Sequence, residues 1–434
     1  MTGTHGVLDD AFLADLDAAL AETDEHLARQ YPGDPATRQP VHTVYVPAPR
    51  FHATLLPAWG SAALEILAQH GGGPDGLAEA FGVEDLPGLH DRVLGKLDRE
   101  PVEDLRIDFE DGYGEPGDAT EDADVLSAAR ALASAIDRGS APWLVGIRCK
   151  SLSRETRHRG VRTLDLFLAG LLAGADLPAG FVVTLPKIMA VEQVAAFVRV
   201  LRRLEDAHGL PEGRLRFEIQ VETPQSVLTA DGRVALPALV SAAGGRCAGL
   251  HFGTYDYGVA LGVPAAQQSV AHPAADFAKA LMQVAAAGTG VRLSDGSTNL
   301  LPVGDRATVR AGWREHVRLV RRSLDRGLYQ GWDLHPHQLP SRFVATFAFF
   351  RAGLPATAAR LRGYVDRSDG GVLDEPATAE ALARFLLRGL RCGALDEDEV
   401  ASATTLDRVA LERLARRQPV KMSDSLPPPA GDST

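Results

Sequence analysis

The chain has 434 residues, and 45% of them are hydrophobic, so it can bury a large core. We therefore expect one large α/β domain with appendages rather than three equal domains. The 45 basic and 57 acidic residues give a formal net charge of −12, and the basic residues form no block. This balance argues against nucleic acid or an anionic membrane as the main partner, and it favours an enzyme that acts on a small molecule.

The cysteines and the N-terminal residues indicate where the protein resides. The three cysteines lie far apart and form no Cys-x-x-Cys pair, so neither a zinc site nor a disulfide framework is predicted. The N-terminal segment is acidic where a signal peptide needs basic and then apolar residues, and no apolar run reaches transmembrane length. We expect a cytoplasmic protein.

The first predicted element is an amphipathic helix over residues 8–30, packed on the body and lying within an N-terminal extension of residues 1–40. A strand and helix alternation follows, with helical patterns at 123–137, 161–173, 191–207 and 308–326. No Gly-x-Gly-x-x-Gly follows the first strand, which disfavours a dinucleotide site. The predicted strands are His42–Val46, Leu105–Phe109, Trp143–Ile147, Phe181–Leu185, Leu215–Val221, Cys247–Phe252, Val291–Leu293 and Gly331–Leu334.

Eight such units favour a closed (β/α)8 TIM barrel over residues 41–352, rather than an open sheet. A long insertion over residues 51–104, with helical pieces of its own, is predicted to form a cap or an interface. An apolar helix is predicted at Arg342–Ala352, followed by a helical appendage over residues 353–417 with helices at Pro355–Val365 and Ala377–Leu390. Residues 418–434 are expected to be disordered.

Two strand ends carry the chemistry that stands out most. The run from Phe217 to Pro224 and the run from His251 to Asp256 are β-rich stretches in which a carboxylate, Glu222 or Asp256, stands where turn residues begin. The two acids are 34 residues apart, which is the span of one strand, helix and strand in a parallel sheet. Two such carboxylates can share a hard divalent cation, so a Mg²⁺ or Mn²⁺ site is predicted.

Charged residues also follow the other predicted strands. In a barrel the active site lies at the carboxyl ends of the strands, and several charges at one mouth are costly unless they are paired or bound to a metal. Some have a plain structural interpretation: a strand-edge acid, a histidine before a proline turn, or a lysine paired with a neighbouring acid. The residues are Asp108, Glu110, Asp111, Arg148, Lys150, Lys187, Asp295, Asp333 and His335.

Seven short segments follow one another along the chain: Ile107–Asp111, Ile147–Lys150, Leu185–Lys187, Val221–Pro224, Phe252–Asp256, Leu334–Gln338 and Val372–Pro376. Their order resembles that of the HpcH/HpaI aldolase and citrate lyase β-subunit-like family, over most of the chain. The resemblance implies a Mg²⁺-dependent (β/α)8 barrel, related to malyl-CoA lyases and malate synthases, that breaks or makes a carbon–carbon bond next to a carboxylate or thioester.

The resemblance also implies roles for individual residues. Glu222 and Asp256 match the metal ligands, and Arg148 matches the arginine beside the reacting oxygen. An acidic pair is expected to orient that arginine, and a carboxylate near the C-terminus is expected to supply a general acid or base from an adjacent chain, so we expect a homo-oligomer. The acidic pair is Glu110 and Asp111, and the C-terminal carboxylate is Asp374.

The substrate contacts are less well indicated. Lys150 stands where the family pattern has asparagine, and with Lys187 and Arg148 it is a candidate to bind substrate. The segment Val46–Arg50 only loosely resembles the region used near coenzyme A, so a small hydroxy- or oxo-acid and its CoA thioester both remain candidate substrates.

Three functions fit this sequence. The first is a carbon–carbon lyase, and the second is a condensing enzyme of the malate synthase type, since one enolate serves both directions. The third is a catalytically silent barrel that acts as a subunit or binding protein. The intact set of Glu222, Asp256 and Arg148 argues against the third.

Overall fold

The computed structural model describes residues 8–35, 37–365 and 375–418. Eight strands form one sheet with the order β7-β6-β5-β4-β3-β2-β1-β8, and all neighbouring pairs are parallel. The strands are β1 His42–Pro47, β2 Asp104–Asp108, β3 Leu144–Arg148, β4 Gly180–Leu185, β5 Arg216–Val221, β6 Cys247–Phe252, β7 Arg292–Ser294 and β8 Gly331–Asp333.

Backbone hydrogen bonds join the two outermost strands of that order. The amide of Asp295 donates to the carbonyl of Gln330 at 2.8 Å, and the amide of Trp332 donates to the carbonyl of Gly296 at 3.3 Å. The sheet therefore closes on itself, and the predicted (β/α)8 barrel is confirmed.

One helix, α1, precedes β1, and helices follow every strand, as the parallel arrangement requires. They are α1 Asp10–Gln30, α2 Leu55–His70, α3 Gly73–Phe81, α4 Leu89–Arg99, α5 Asp118–Asp137, α6 Arg157–Leu172, α7 Val191–His208, α8 Pro224–Val227, α9 Leu236–Ala242, α10 Thr254–Ala260, α11 Pro273–Ala286, α12 Arg306–Asp325, α13 Leu339–Val365, α14 Pro376–Cys392, α15 Glu397–Thr404 and α16 Arg408–Leu414. None of the described helices is long and apolar enough to cross a membrane.

The barrel interior is charged, whereas the outer faces of the strands are apolar. Alternate residues of a strand point to the same face, so Arg106 and Glu218 point inward from β2 and β5. The Arg106 guanidinium donates to both oxygens of Glu218, at 2.9 and 2.7 Å, and both residues are buried. The next inward positions toward the carboxyl ends of these strands build the candidate site.

The insertion after β1 lies on the side of the barrel. Its helices α2, α3 and α4 pack against α12 and α13, and the ring of Phe81 stacks on Trp313 with centroids 4.4 Å apart. The insertion therefore extends the helical layer of the barrel.

Two elements differ from the sequence prediction. Helix α1 has no buried residue, so the expectation that it packs on the body is wrong. Helix α13 runs unbroken through Pro355, where two helices were predicted. It continues because α12, α14, α4 and α15 pack along its length, and this contact outweighs the hydrogen bond that a proline removes. The predicted boundary at residue 352 falls inside this helix.

Candidate active site

Arg148 is a buried residue at the end of β3 and is fixed by Asp108 at the end of β2. Its Nε and Nη2 donate to the two oxygens of Asp108, each at 2.7 Å. Asp108 and Arg148 are register partners in adjacent strands, which places their side chains next to each other. Burial alone would lower the pKa of Arg148, but Asp108 and Glu110 hold that pKa well above its usual value.

The acidic pair predicted to orient Arg148 lies farther away. Nη1 of Arg148 is 3.3 Å from Glu110 and 4.0 Å from Asp111, so Glu110 is a secondary partner and Asp111 a distant one. Asp108 also accepts from the backbone amides of Glu110 and Gly112, at 3.0 and 2.9 Å. Asp108 therefore fixes both the guanidinium and the loop that carries the acidic pair.

Lys187 follows β4 and places its ammonium among carboxylates. Its Nζ contacts Glu110, lies 2.8 Å from Asp111 and lies 3.7 Å from Asp256. Its backbone has φ of 52°, a left-handed conformation that is uncommon outside glycine, and its amide donates to Glu222 at 2.8 Å. Burial would lower the pKa of Lys187, but Glu110 and Glu222 raise it above its usual value.

Glu222 is buried just after β5, with 1% of its surface exposed. Its two oxygens accept from the Lys187 amide and from the Gln220 side chain. Burial raises the pKa of Glu222 to about 8, and repulsion from Glu110 and Asp256 adds to the shift, although Lys187 and Arg148 partly oppose it. The charge of this carboxylate is incompletely balanced.

Asp256 lies in the first turn of α10, and its side chain is 42% exposed. We call Glu110, Asp111, Lys187, Glu222 and Asp256 the mouth cluster; it sets four carboxylates against one ammonium. Among the described residues no group of three or more His, Cys, Asp or Glu side chains could hold a metal ion. The donors present fit a hard cation with two protein carboxylates, whose other positions go to water and substrate.

The other sequence candidates lie in different surroundings. Lys150 donates to the backbone carbonyls of Gly114 at 2.7 Å and Phe109 at 3.3 Å, so its ammonium fastens the loop after β2. Asp295 binds Lys279 at 2.9 Å, Asp333 binds Arg342 at 2.9 Å, and burial lowers the pKa of His335 to about 4. Asp374 lies outside the residues that the structure describes.

Two residues of the site escaped the sequence prediction. The Gln220 amide bridges Arg148, 3.4 Å from Nη1, and Glu222. The Tyr45 ring lies against the guanidinium of Arg148, with its centroid 4.9 Å away. The strand alternation would have indicated Gln220, since it precedes Glu222 by two positions; Tyr45 carries no comparable signal.

The solved structures that are similar to this chain include the following three. The lead(II) complex of Haloferax volcanii malate synthase is 15% identical, with 85% of this chain and 90% of that chain covered and a TM-score of 0.48. CitE from Mycobacterium tuberculosis in complex with magnesium, acetoacetate and coenzyme A is 17% identical, with 83% and 100% covered and a TM-score of 0.47. An HpcH/HpaI aldolase/citrate lyase family protein from Burkholderia cenocepacia J2315 is 15% identical, with 72% and 92% covered and a TM-score of 0.40.

The names of these proteins are those of the family, and of its malate synthase relatives, that the seven sequence segments resemble. No curated protein matches the chain. Residues 20–419 match the family described as "Domain of unknown function (DUF6986)". That match spans nearly the whole chain, and the protein belongs to this family.

Proposed function

We propose that the protein is a Mg²⁺-dependent enzyme that cleaves a carbon–carbon bond in a small hydroxy- or oxo-acid, or in its CoA thioester, through an enolate. The observation that carries the proposal is the meeting of Arg148 with Glu222 and Asp256 at the carboxyl ends of the strands. A guanidinium and a cation at one mouth are suited to the two oxygens that gain charge when such a bond breaks.

Each residue of the mouth has a distinct task in this proposal. Glu222 and Asp256 would hold Mg²⁺, which would act as a Lewis acid toward the substrate oxygen. Arg148 presents Nη1 toward the mouth, because Asp108 occupies its other two donors. Lys187, whose side chain is 30% exposed, would bind the substrate carboxylate in place of Glu110 and Asp111.

A proton carrier is needed in addition. In this proposal Glu222 and Asp256 would hold Mg²⁺, and Glu110 and Asp111 are paired with Lys187. We assign this task to Asp374 of a neighbouring subunit. The support is the segment Val372–Pro376, which resembles the C-terminal segment of the aldolase and citrate lyase family. The same enolate serves cleavage and condensation, so analysis of the products will establish the direction.

The test is a thermal-shift screen of small oxo acids, coenzyme A and CoA thioesters with and without Mg²⁺. Acetoacetate and coenzyme A, present in the CitE structure, are the first probes. The proposal predicts a ligand that raises the unfolding temperature only when Mg²⁺ is present. That ligand is then incubated with enzyme in D₂O, where enolate formation exchanges the hydrogen next to the carbonyl.

Two variants make the screen decisive. Glu222→Gln should lose both the Mg²⁺-dependent shift and the exchange. Glu212→Gln changes an exposed glutamate whose side chain is 77% accessible, and it should behave like the wild type. If no ligand shows Mg²⁺ dependence, or if Glu222→Gln exchanges at the wild-type rate, the proposed function is wrong.

A further inference from the structure

A cavity of about 520 Å³ lies at the end of the barrel opposite the mouth. Gln39, Arg292 and Tyr329 line it, and they stand just before or at the start of β1, β7 and β8. Parallel strands all begin at the same rim, so this cavity lies at the amino ends of the strands. Helices α14 and α16 provide its other wall. We call it the N-terminal cavity.

Arginines dominate the charged lining of the N-terminal cavity. Three carboxylates also line it, so the arginines exceed the acids by three. Part of the charge is already balanced: Arg384 contacts Asp34 and binds Glu380 at 2.7 Å, and Arg417 binds the same glutamate at 2.7 Å. The six arginines are Arg292, Arg384, Arg388, Arg391, Arg416 and Arg417, and the three acids are Asp34, Glu380 and Glu412.

Arg391 has a buried donor without a partner. A carboxylate oxygen of Glu412 is 4.0 Å from its guanidinium, and its Nε is buried with no hydrogen-bond partner in the described part of the chain. Burial lowers the pKa of Arg391, and nearby arginines including Arg388 and Arg416 lower it further. A buried donor without a partner costs free energy, and a bound anion would remove that cost.

Arg292 adds a second positive charge that the cavity does not neutralise. Its Nη2 donates to the hydroxyl of Thr37 at 2.7 Å, and its guanidinium lies 5.8 Å from the ring centroid of Trp143. Both partners are neutral. Burial lowers the pKa of Arg292, the Asp104 carboxylate partly opposes this shift, and repulsion from Arg216 and Arg391 adds to it.

An aromatic and apolar wall completes the N-terminal cavity. The guanidinium of Arg388 lies 3.9 Å from the ring centroid of Tyr329, which stacks on Phe350 at 6.2 Å. A guanidinium held against a ring keeps its donors in a fixed plane. Leu387 and Ala286 add apolar surface beside it. The cavity therefore offers fixed cationic donors together with a surface for an organic group.

We propose that the N-terminal cavity binds a phosphorylated small molecule that carries at least two negative charges. Guanidinium forks match phosphate oxygens in geometry and charge, and the guanidinium groups of Arg391 and Arg292 could bind such oxygens. The volume falls within the roughly 300–1,000 Å³ typical of small-molecule sites, and the apolar wall accommodates the organic body. This site shares no residue with the mouth, so it stands independently of the proposed function.

The test is calorimetric titration of the full chain in EDTA with ADP, pyrophosphate, inorganic phosphate and uncharged adenosine. The proposal predicts that ADP binds more tightly than inorganic phosphate and that adenosine fails to bind. Arg391→Gln should weaken ADP binding by about tenfold or more, as expected for the loss of a charge-assisted hydrogen bond. Arg391→Lys keeps the charge but loses the guanidinium fork, so its affinity for ADP should lie between those of the wild type and Arg391→Gln.

Controls separate the N-terminal cavity from other sites. Arg202→Gln removes an arginine on α7 whose side chain is 58% exposed, and it should leave ADP binding unchanged. Lys187→Gln changes the mouth and should also leave it unchanged. The proposal is overturned if no phosphate compound binds, if Arg391→Gln binds ADP as the wild type does while its unfolding temperature is normal, or if binding depends on Lys187 instead.

Discussion

Arg148 and Glu222 lie in the same buried mouth, but their charges are met in different ways. Arg148 donates two hydrogen bonds of 2.7 Å to the carboxylate of Asp108, whereas the two oxygens of Glu222 accept from neutral amides. A buried charge with a bidentate partner stays fixed, and a buried carboxylate without one gains a proton or recruits a cation. These surroundings support the roles proposed above, in which Arg148 is a fixed donor and Glu222 a ligand of the cation.

Replacement of Arg148 by lysine should preserve the fold and remove most of the rate. Lysine can still pair with Asp108, but it cannot hold that carboxylate through two donors and present a third to substrate. We expect the rate of hydrogen exchange on the ligand identified by the screen to fall by about 100-fold or more. Arg202→Lys is the matched control. A rate near that of the wild type would show that Arg148 does not act on the reacting oxygen.

The raised pKa of Glu222 predicts how stability depends on pH. Its pKa rises from 4.5 to about 8, chiefly through burial, so the native state keeps a proton that the unfolded chain releases in this interval. The stability contribution is present below the unfolded pKa and is lost as pH rises through the folded pKa. Without Mg²⁺, the free energy of unfolding should therefore fall between about pH 5 and about pH 8 more steeply for the wild type than for Glu222→Gln.

Urea unfolding at several pH values measures this difference. Because the proposed Mg²⁺ site uses the charged form of Glu222, saturating Mg²⁺ should restore stability at the upper end of the pH range. Parallel pH curves for the wild type and Glu222→Gln would mean that the pKa of Glu222 in the native state is close to its ordinary value.

At the scale of elements, α1 combines a regular apolar stripe with the absence of any buried residue. Its large side chains are between 44% and 52% exposed, and shortly after the helix the amide of Gly33 donates to Gly288 at 2.8 Å. The packing of α1 within one chain therefore adds little to the free energy of unfolding. The stripe comprises Phe12, Leu13, Leu16, Leu20 and Leu27.

Deletion of residues 1–30 should leave the unfolding temperature of the dilute protein within about 2 °C of the wild-type value, since helix α1 has no buried residue. Calorimetric scans at low and high protein concentration measure this. A drop of more than about 5 °C at low concentration would show that α1 packs on the barrel after all.

The same contrast explains what the sequence could predict. The strands were predicted well because each is a short apolar run bounded by turn residues, and β6 was placed at its observed bounds, Cys247–Phe252. Periodicity also indicates an apolar stripe in α1, but it does not say what covers that stripe. In the sequence, Pro355 indicates a helix boundary, because the low helix propensity of proline carries no information on the packing around α13.

The site shows a similar division. Glu222, Asp256 and Arg148 could be proposed as neighbours because they lie at or just beyond strand ends, and strand ends converge in a barrel. The partner of Arg148 could not be named, since Asp108, Glu110 and Asp111 are nearly adjacent in sequence and only the register of β2 against β3 selects Asp108. Lys150 follows a strand end as well, yet its long side chain turns to the loop carbonyls.

At the scale of the whole molecule, the proposed proton carrier requires a second chain. Asp374→Asn and Glu222→Gln should each be inactive alone, and a mixture of the two should regain part of the activity, because some mouths then combine an intact metal site with an intact aspartate. The measurement is the exchange rate after mixing, with subunit exchange verified by mass spectrometry. No recovery despite verified subunit exchange would rule out a contribution from the neighbouring chain.

The proposed function depends above all on a divalent cation held by Glu222 and Asp256, and calorimetric titration of Mg²⁺ tests this site most directly. We expect one Mg²⁺ per wild-type chain, affinity at least about tenfold weaker in Glu222→Gln, and unchanged affinity in the exposed control Glu212→Gln. Mg²⁺ affinity in Glu222→Gln equal to that of the wild type would contradict the proposed site.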